Sequence, residues 1–152
     1  MISLYSGEFL EISIRNLMIP SERVAHVQVG NNLEHALLVL TKSGYTAIPV
    51  LDPHYKLHGL ISTPILMDSI LGLERIEFEK LEQKRVEEVM NTAVPRVKSS
   101  ASLQTCLELL VNHPFLCIES EEGIFEGILP RSTVLHQLNK HIRKVSKNHI
   151  ES

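Results

Sequence analysis

The residues able to do covalent or metal chemistry are few in this chain, and they are poorly grouped. Eight histidines invite a metal reading. His54 and His58 flank a turn, and His136 and His141 stand five apart on an expected helix. Neither pair has the cysteine or carboxylate companions that a zinc motif needs, so no metal site is assigned. Ser62, Ser132 and Thr133 carry hydroxyls at expected helix starts, but no neighbouring His and Asp form a relay to activate them. No GxxxxGK[ST] or GxGxxG run is present, so triphosphate hydrolysis has no support. The two cysteines, Cys106 and Cys117, fall in an apolar helix pattern and an apolar strand pattern and read as reduced core residues. This inventory points to binding and away from catalysis: the chain is not expected to be an enzyme.

The chain has 152 residues, 43% of them hydrophobic, which is enough for one compact core or two half-size units. Formal net charge is -3, so a long nucleic acid is not an expected partner. The N-terminus lacks the basic start and long apolar run of a secretion signal. No stretch approaches the roughly 18 apolar residues of a membrane span. A cytoplasmic protein is expected.

The elements that must position any binding group come in two copies. LEHALLVL at 33–40 answers LQTCLELL at 103–110, with Leu33/Leu103, Ala36/Cys106, Leu37/Leu107 and Leu40/Leu110 at one offset of 70. The same offset pairs Gly44 with Pro114, Tyr45 with Phe115 and Ile48 with Ile118, whereas Gly59 and Gly127 stand 68 apart. On that reading the second copy lost two residues between its strands. A duplication of this length is a whole subdomain.

Each copy reads as strand, helix, strand, strand, helix. In the first, a strand is expected near Arg23 to Val27, then a helix from Asn31 or Asn32 to Ser43. Its apolar face repeats at i, i+3, i+4 and i+7, and Gly44 ends it. Thr46–Leu51 and Leu57–Ile61 form a hairpin around Asp52-Pro53-His54, and Ser62 caps the next helix. The second copy follows with a strand near Pro95 to Val97, a helix over 101–112, strands over 115–119 and 124–129, and a helix from 131. A short amphipathic helix is expected over 8–18, with Phe9, Ile12 and Leu17 on one face. Residues 73–85 form a charged, partly helical connector, and the polar, basic tail after Leu138 is expected to fray. The fold class is α/β of the α+β kind: small sheets, each with two helices, the copies packing sheet to sheet about a pseudo-twofold axis.

The run Gly44-Tyr45-Thr46-Ala47-Ile48-Pro49-Val50 with Asp52, then Gly59-Leu60-Ile61-Ser62, resembles the CBS-domain family, named from cystathionine β-synthase. Phe115–Ile118 and Gly127-Ile128-Leu129 repeat it more weakly. The resemblance implies tandem CBS domains at 14–72 and 86–140, joined by a connector at 73–85. An N-terminal segment, 1–13, and a C-terminal tail, 141–152, flank them. Such a pair, a Bateman module, is expected to dimerise and to bind an adenine nucleotide between its repeats. The segments MISLYSGEFLE, VAHVQVGNNLEHALLVLTKSGYTAIPVLDP, GLERIEFEK and LNKHIR further resemble a group of stand-alone tandem CBS proteins of Gram-positive bacteria that bind cyclic di-AMP.

That resemblance implies a set of ligand contacts. Tyr45, Thr46 and Ala47 would offer an apolar wall, a hydroxyl and a strand edge to a base. Ala25 is a second small residue beside Arg23. Arg131, at a helix start, would fork onto a phosphate with Ser132 beside it. CBS units that take AMP or ATP often hold the ribose with an Asp, where this chain has Ile65 and Thr133. A 3′,5′-linked cyclic dinucleotide has no free vicinal diol for such an Asp, so the loss suits cyclic di-AMP. Two departures point the other way: Pro130 replaces the usual Ser or Thr, and Ser132 stands where relatives tend to carry a second arginine.

No cofactor is expected beyond that ligand. The implied role is a homodimeric sensor controlling partner proteins, such as the (p)ppGpp synthetase/hydrolase of the stringent response or pyruvate carboxylase. The rival readings are a general AMP-, ATP- or S-adenosyl-binding regulatory module, and an interaction protein with no ligand.

Overall fold

The structure, a computed structural model, describes residues 8–151, with side chains described for 8–147. The chain divides into two compact units. One comprises Arg23–Val94 with Glu122–Phe125. The other takes the N-terminal segment up to Glu22, Pro95–Glu121 and the chain from Glu126 onward.

In the first unit, β2 (Val27–Gln28) runs parallel to β3 (Ala47–Leu51), and β3 pairs antiparallel with β4 (Leu57–Ser62). Helix α1 (Leu33–Ser43) begins where Asn32 Oδ1 accepts from the His35 amide at 2.9 Å. It ends at Gly44, whose φ of 76° is a left-handed stop open to glycine at little cost, and whose amide donates to Leu40 O at 3.0 Å. Ser62 caps α2 (Thr63–Ile70) by accepting from the Ile65 amide, and Pro64 sits in the first turn, where its missing N–H costs nothing. Two short helices follow, α3 (Lys80–Gln83) and α4 (Val86–Val89). The core is built from Val27, Leu33, Ala36, Leu40, Ile48, Val50, Ile61, Leu66 and Val86, all buried.

The second unit repeats the plan with β5 (Arg96–Lys98) parallel to β6 (Phe115–Glu119), β7 (Phe125–Pro130) beside β6, and helices α5 (Leu103–Leu110) and α6 (Arg131–Glu151). Its sheet has a fourth strand. β1 (Ile19–Pro20) comes from ahead of the first repeat and pairs antiparallel with β7, Ile19 opposite Ile128 and Pro20 opposite Gly127. Phe9, Ile14 and Leu17 enter the core of this unit with Leu103, Cys106, Leu116, Ile118 and Leu129.

Four expectations change. The single helix over 8–18 is instead broken: residues 8–10 are helical, and a separate 3-10 turn, Ile14–Asn16, follows. Ser13 breaks it by accepting from the Arg15 amide through its hydroxyl, a local bond that competes with helix. The strand near Arg23–Val27 shrinks to Val27–Gln28, because Ser21–Arg23 form a 3-10 turn between the two units. The tail after Leu138 stays helical through Glu151. There Leu138, His141 and Val145 extend the half-buried face that Val134 opens, and the His141 ring lies 5.9 Å from that of Phe9. Residue 152 and residues 1–7 of the expected terminal segments lie outside the described residues.

The fourth change concerns the repeat itself. β5 residues Val97 and Lys98 pair with Ile118 and Glu119, as Val27 and Gln28 pair with Val50 and Leu51. β2 and β5 therefore stand 70 apart, but β3 and β6 stand 68 apart. The two missing residues were lost between helix and strand, not between strands. α5 has 8 residues against 11 in α1. The sequence conceals this because a slip of two keeps every side chain on its own face of a strand.

Gly127 carries the test of the added strand. A Cβ there would run into the carbonyl oxygen of Ile19 and crowd Pro20 Cα at 3.2 Å. Gly127→Ala is expected to destabilise the fold by about 1–3 kcal/mol, as overpacked sites do. A lower urea midpoint with unchanged slope is the expected result, and an unshifted midpoint contradicts the β1–β7 pairing.

Candidate functional site

Parallel strands start at the same end of a sheet, so the chain entering β2 lies alongside the start of β3. The antiparallel β4 finishes there, Ser62 opposite Ala47, and α2 begins at the next residue. Five of the seven candidate residues meet at this end of the first unit. Arg23 closes the 3-10 turn and is exposed. Ala25 is half-buried between buried Val24 and the strand. Tyr45 is half-buried against the core, Thr46 is exposed, and Ala47 opens β3. The Thr46 carbonyl accepts from the Thr63 amide at 3.1 Å, which ties strand start to helix start.

Arg131 and Ser132 occupy the matching end of the second unit. The Arg131 amide donates to Pro114 O at 2.8 Å, the counterpart of the Thr63–Thr46 bond. Arg131 therefore corresponds to Thr63, and Ser132, which is exposed, to Pro64.

The two arginines differ in how far they are committed. Arg131 Nε donates to Leu110 O at 2.7 Å, and its Nη2 to Val111 O at 3.4 Å. Those carbonyls end α5, which has no glycine like Gly44 to turn the chain back. The guanidinium thus caps the shortened helix, where positive charge also suits the helix dipole. It lies at the edge of an apolar cavity of about 290 Å³ lined by Leu107, Leu110, Val111, Val134 and Leu135. Arg23 makes no side-chain hydrogen bond or ion pair among the described residues, so its charge is unspent. The sequence reading missed the capping role of Arg131. The absence of a glycine after LQTCLELL was the available signal.

The helix starts differ too. Ser62 fills the N-terminus of α2 with its own hydroxyl, while Pro130, which precedes α6, has no side-chain acceptor to offer the first-turn amides. Ile65 packs partly buried against the first core, and Thr133 is half-buried; neither carries a carboxylate.

The histidines go elsewhere. His58 Nε2 lies 2.9 Å from Asp52 Oδ2 in the β3–β4 turn, and that contact, with the amides of Lys56 and His54, lowers the Asp52 carboxyl to about 2. Both cysteines are free and buried, and burial pushes the Cys117 thiol up to about 12. Among the described residues no helix is long and apolar enough to cross a membrane.

The family model of the CBS domain matches residues 14–72 and 86–140. The chain belongs to the CBS-domain family. This CBS-domain protein is 58% identical over 147 residues to cyclic di-AMP receptor B of Bacillus subtilis, covering 97% of this chain and 100% of that one. It is 60% identical to a CBS domain-containing protein of Bacillus anthracis, with a TM-score of 0.83 and coverage of 89% and 98% of the two chains. It is 54% identical to the CbpB protein of Listeria monocytogenes, solved in complex with c-di-AMP, with a TM-score of 0.81 and coverage of 87% and 98%. Residues 14–22, inside the first matched span, pack with the unit that holds the second repeat.

Replacing Arg131 with Met keeps the apolar stem and removes the donors to Leu110 and Val111. The expected cost is about 1–2 kcal/mol in chemical denaturation; no change in stability contradicts the capping role.

Proposed function

We propose that this CBS-domain protein is a non-catalytic cytoplasmic sensor that binds cyclic di-AMP through the residues at these sheet ends. The observation that carries the reading is the gathering of Arg23, Ala25, Tyr45, Thr46 and Ala47 at the start of β3, next to a helix whose ribose-anchor position is Ile65. Small residues let a base approach the strand backbone, and Tyr45 adds an apolar wall. The unspent Arg23 charge suits a phosphodiester. In the second repeat, first-turn amides of α6 without a side-chain cap suit an anion as well, with Arg131 and Ser132 beside them. The identity to a cyclic di-AMP receptor, and to a CbpB protein crystallised with that ligand, supports the same choice.

The working form in this reading is a homodimer. Met67 of α2 and Leu135 of α6 are repeat-equivalent, 68 apart, and both are exposed, at 39% and 54%. Each repeat therefore presents the same apolar helix position to a partner surface. Ligand occupancy then changes which protein the dimer holds, with the (p)ppGpp synthetase/hydrolase as the leading partner and pyruvate carboxylase as another. Such control requires that ligand and partner favour different states, because equal affinity for both shifts nothing.

Calorimetric titration with cyclic di-AMP and with AMP tests the reading. Cyclic di-AMP is expected to bind the more tightly. Arg23→Ala should weaken it by about tenfold, roughly 1.4 kcal/mol, and by more than Arg131→Met does. AMP binding as tightly, or an Arg23→Ala titration indistinguishable from wild type, contradicts the proposal.

A further inference from the structure

The first unit carries a second concavity, away from Arg23, Ala25, Tyr45, Thr46 and Ala47, none of which lines it. Its volume is about 680 Å³, within the range of small-molecule sites. Ile65 and Asp68 of α2, Leu71 at its end, Lys80 and Lys84 at the two ends of α3, and Val89 of α4 form its walls. Ile65, Leu71 and Val89 make an apolar surface; the polar groups decide what could lie on it.

Two of those polar groups are already used. Lys80 Nζ is 2.6 Å from Glu77 Oε2, so its charge is neutralised within the chain. The hydroxyl of Ser69, also on the wall, donates to Ile65 O at 2.7 Å. Two are not used. Among the described residues neither the Asp68 carboxylate nor the Lys84 ammonium has a side-chain hydrogen bond or ion pair. Lys84 is half-buried, its stem lying along the wall and its ammonium without a counter-charge from the described residues. Asp68 is exposed.

A simple anion would satisfy Lys84 but meet Asp68. A simple cation would satisfy Asp68 but meet Lys84. The balance of one free charge of each sign beside an apolar wall suits a ligand with both charges and an apolar body. We infer that this concavity binds a free α-amino acid with an apolar side chain, its carboxylate on Lys84 and its ammonium on Asp68. The inference does not rest on the dinucleotide reading: the two share only Ile65, and the charged groups Lys84 and Asp68 belong to this concavity alone.

The test is an amide-resolved NMR titration of the full chain with L-leucine, L-isoleucine and L-valine. N-acetyl-L-leucine, which lacks the cation, L-leucinamide, which lacks the anion, and inorganic phosphate serve as comparisons. At least one amino acid should give saturable shifts at Asp68, Leu71, Lys84 and Val89, with a Kd on the order of millimolar, as two partly solvated ion pairs would supply. The blocked analogues should bind at least about tenfold more weakly, the loss of roughly 1.4 kcal/mol. Lys84→Met and Asp68→Asn should each abolish the shifts while keeping the dispersed spectrum of a folded chain, and Lys84→Arg should restore them. The inference is overturned if none of the three amino acids gives saturable shifts there, or if the shifts survive both charge-removing variants. It is also overturned if phosphate or N-acetyl-L-leucine binds as well as leucine, since the site is then a plain anion site.

Discussion

In each repeat one backbone bond joins the start of a helix to the chain entering the central strand. The Thr63 amide donates to Thr46 O in the first, and the Arg131 amide to Pro114 O in the second. This bond locks the residue that opens a helix to the residue that leads into the central strand. A helix start and a strand start, each rich in backbone groups not spent on regular pairing, are thereby held side by side. Tyr45, Thr46, Ala47, Arg131 and Ser132 lie within a few positions of those two bonds, and Arg23 and Ala25 come from the chain that enters β2. The remaining packing, from Leu33 and Ala36 of α1 to Leu103 and Cys106 of α5, serves to hold the strands on which the bonds depend.

The constraint also explains why the repeats are not equal. Once the second copy lost two residues ahead of β6, α5 had to end early, without the left-handed glycine that closes α1. Its last carbonyls then needed donors, and the nearest was the side chain of Arg131, held in place by its own amide bond to Pro114. The residue that looks best suited to a phosphate is thus partly committed to holding the fold. Arg23, by contrast, is exposed and unspent, and the proposed recognition therefore leans on it.

Much of this was legible in the chain. Leu33, Ala36 and Leu40 announced one buried helix face, Gly44 its end, and Asp52-Pro53-His54 a hairpin; all three appear as read. Arg23, Ala25 and Tyr45–Ala47, which the resemblance implied as contacts, all fall within one unit, on or just before the parallel strands β2 and β3. What stayed hidden had physical reasons. A two-residue slip leaves strand alternation intact, so the site of the deletion was invisible in the pattern. β1 is two residues long and pairs with a strand more than 100 positions away, beyond the reach of local periodicity. The tail looked wholly polar because its contacts come only every third or fourth residue, at Leu138, His141 and Val145. The commitment of Arg131 to α5 is a tertiary contact that composition cannot show.

The central claim is that the sheet ends, with their unspent amides, small residues and Arg23, are where a cyclic dinucleotide is read. A crystal structure of this chain grown with saturating cyclic di-AMP tests it most directly. The account predicts the ligand against Thr46, Ala47 and Ala25, with a phosphate at the Arg23 guanidinium. A dinucleotide bound elsewhere, or those residues left untouched at saturation, would contradict it.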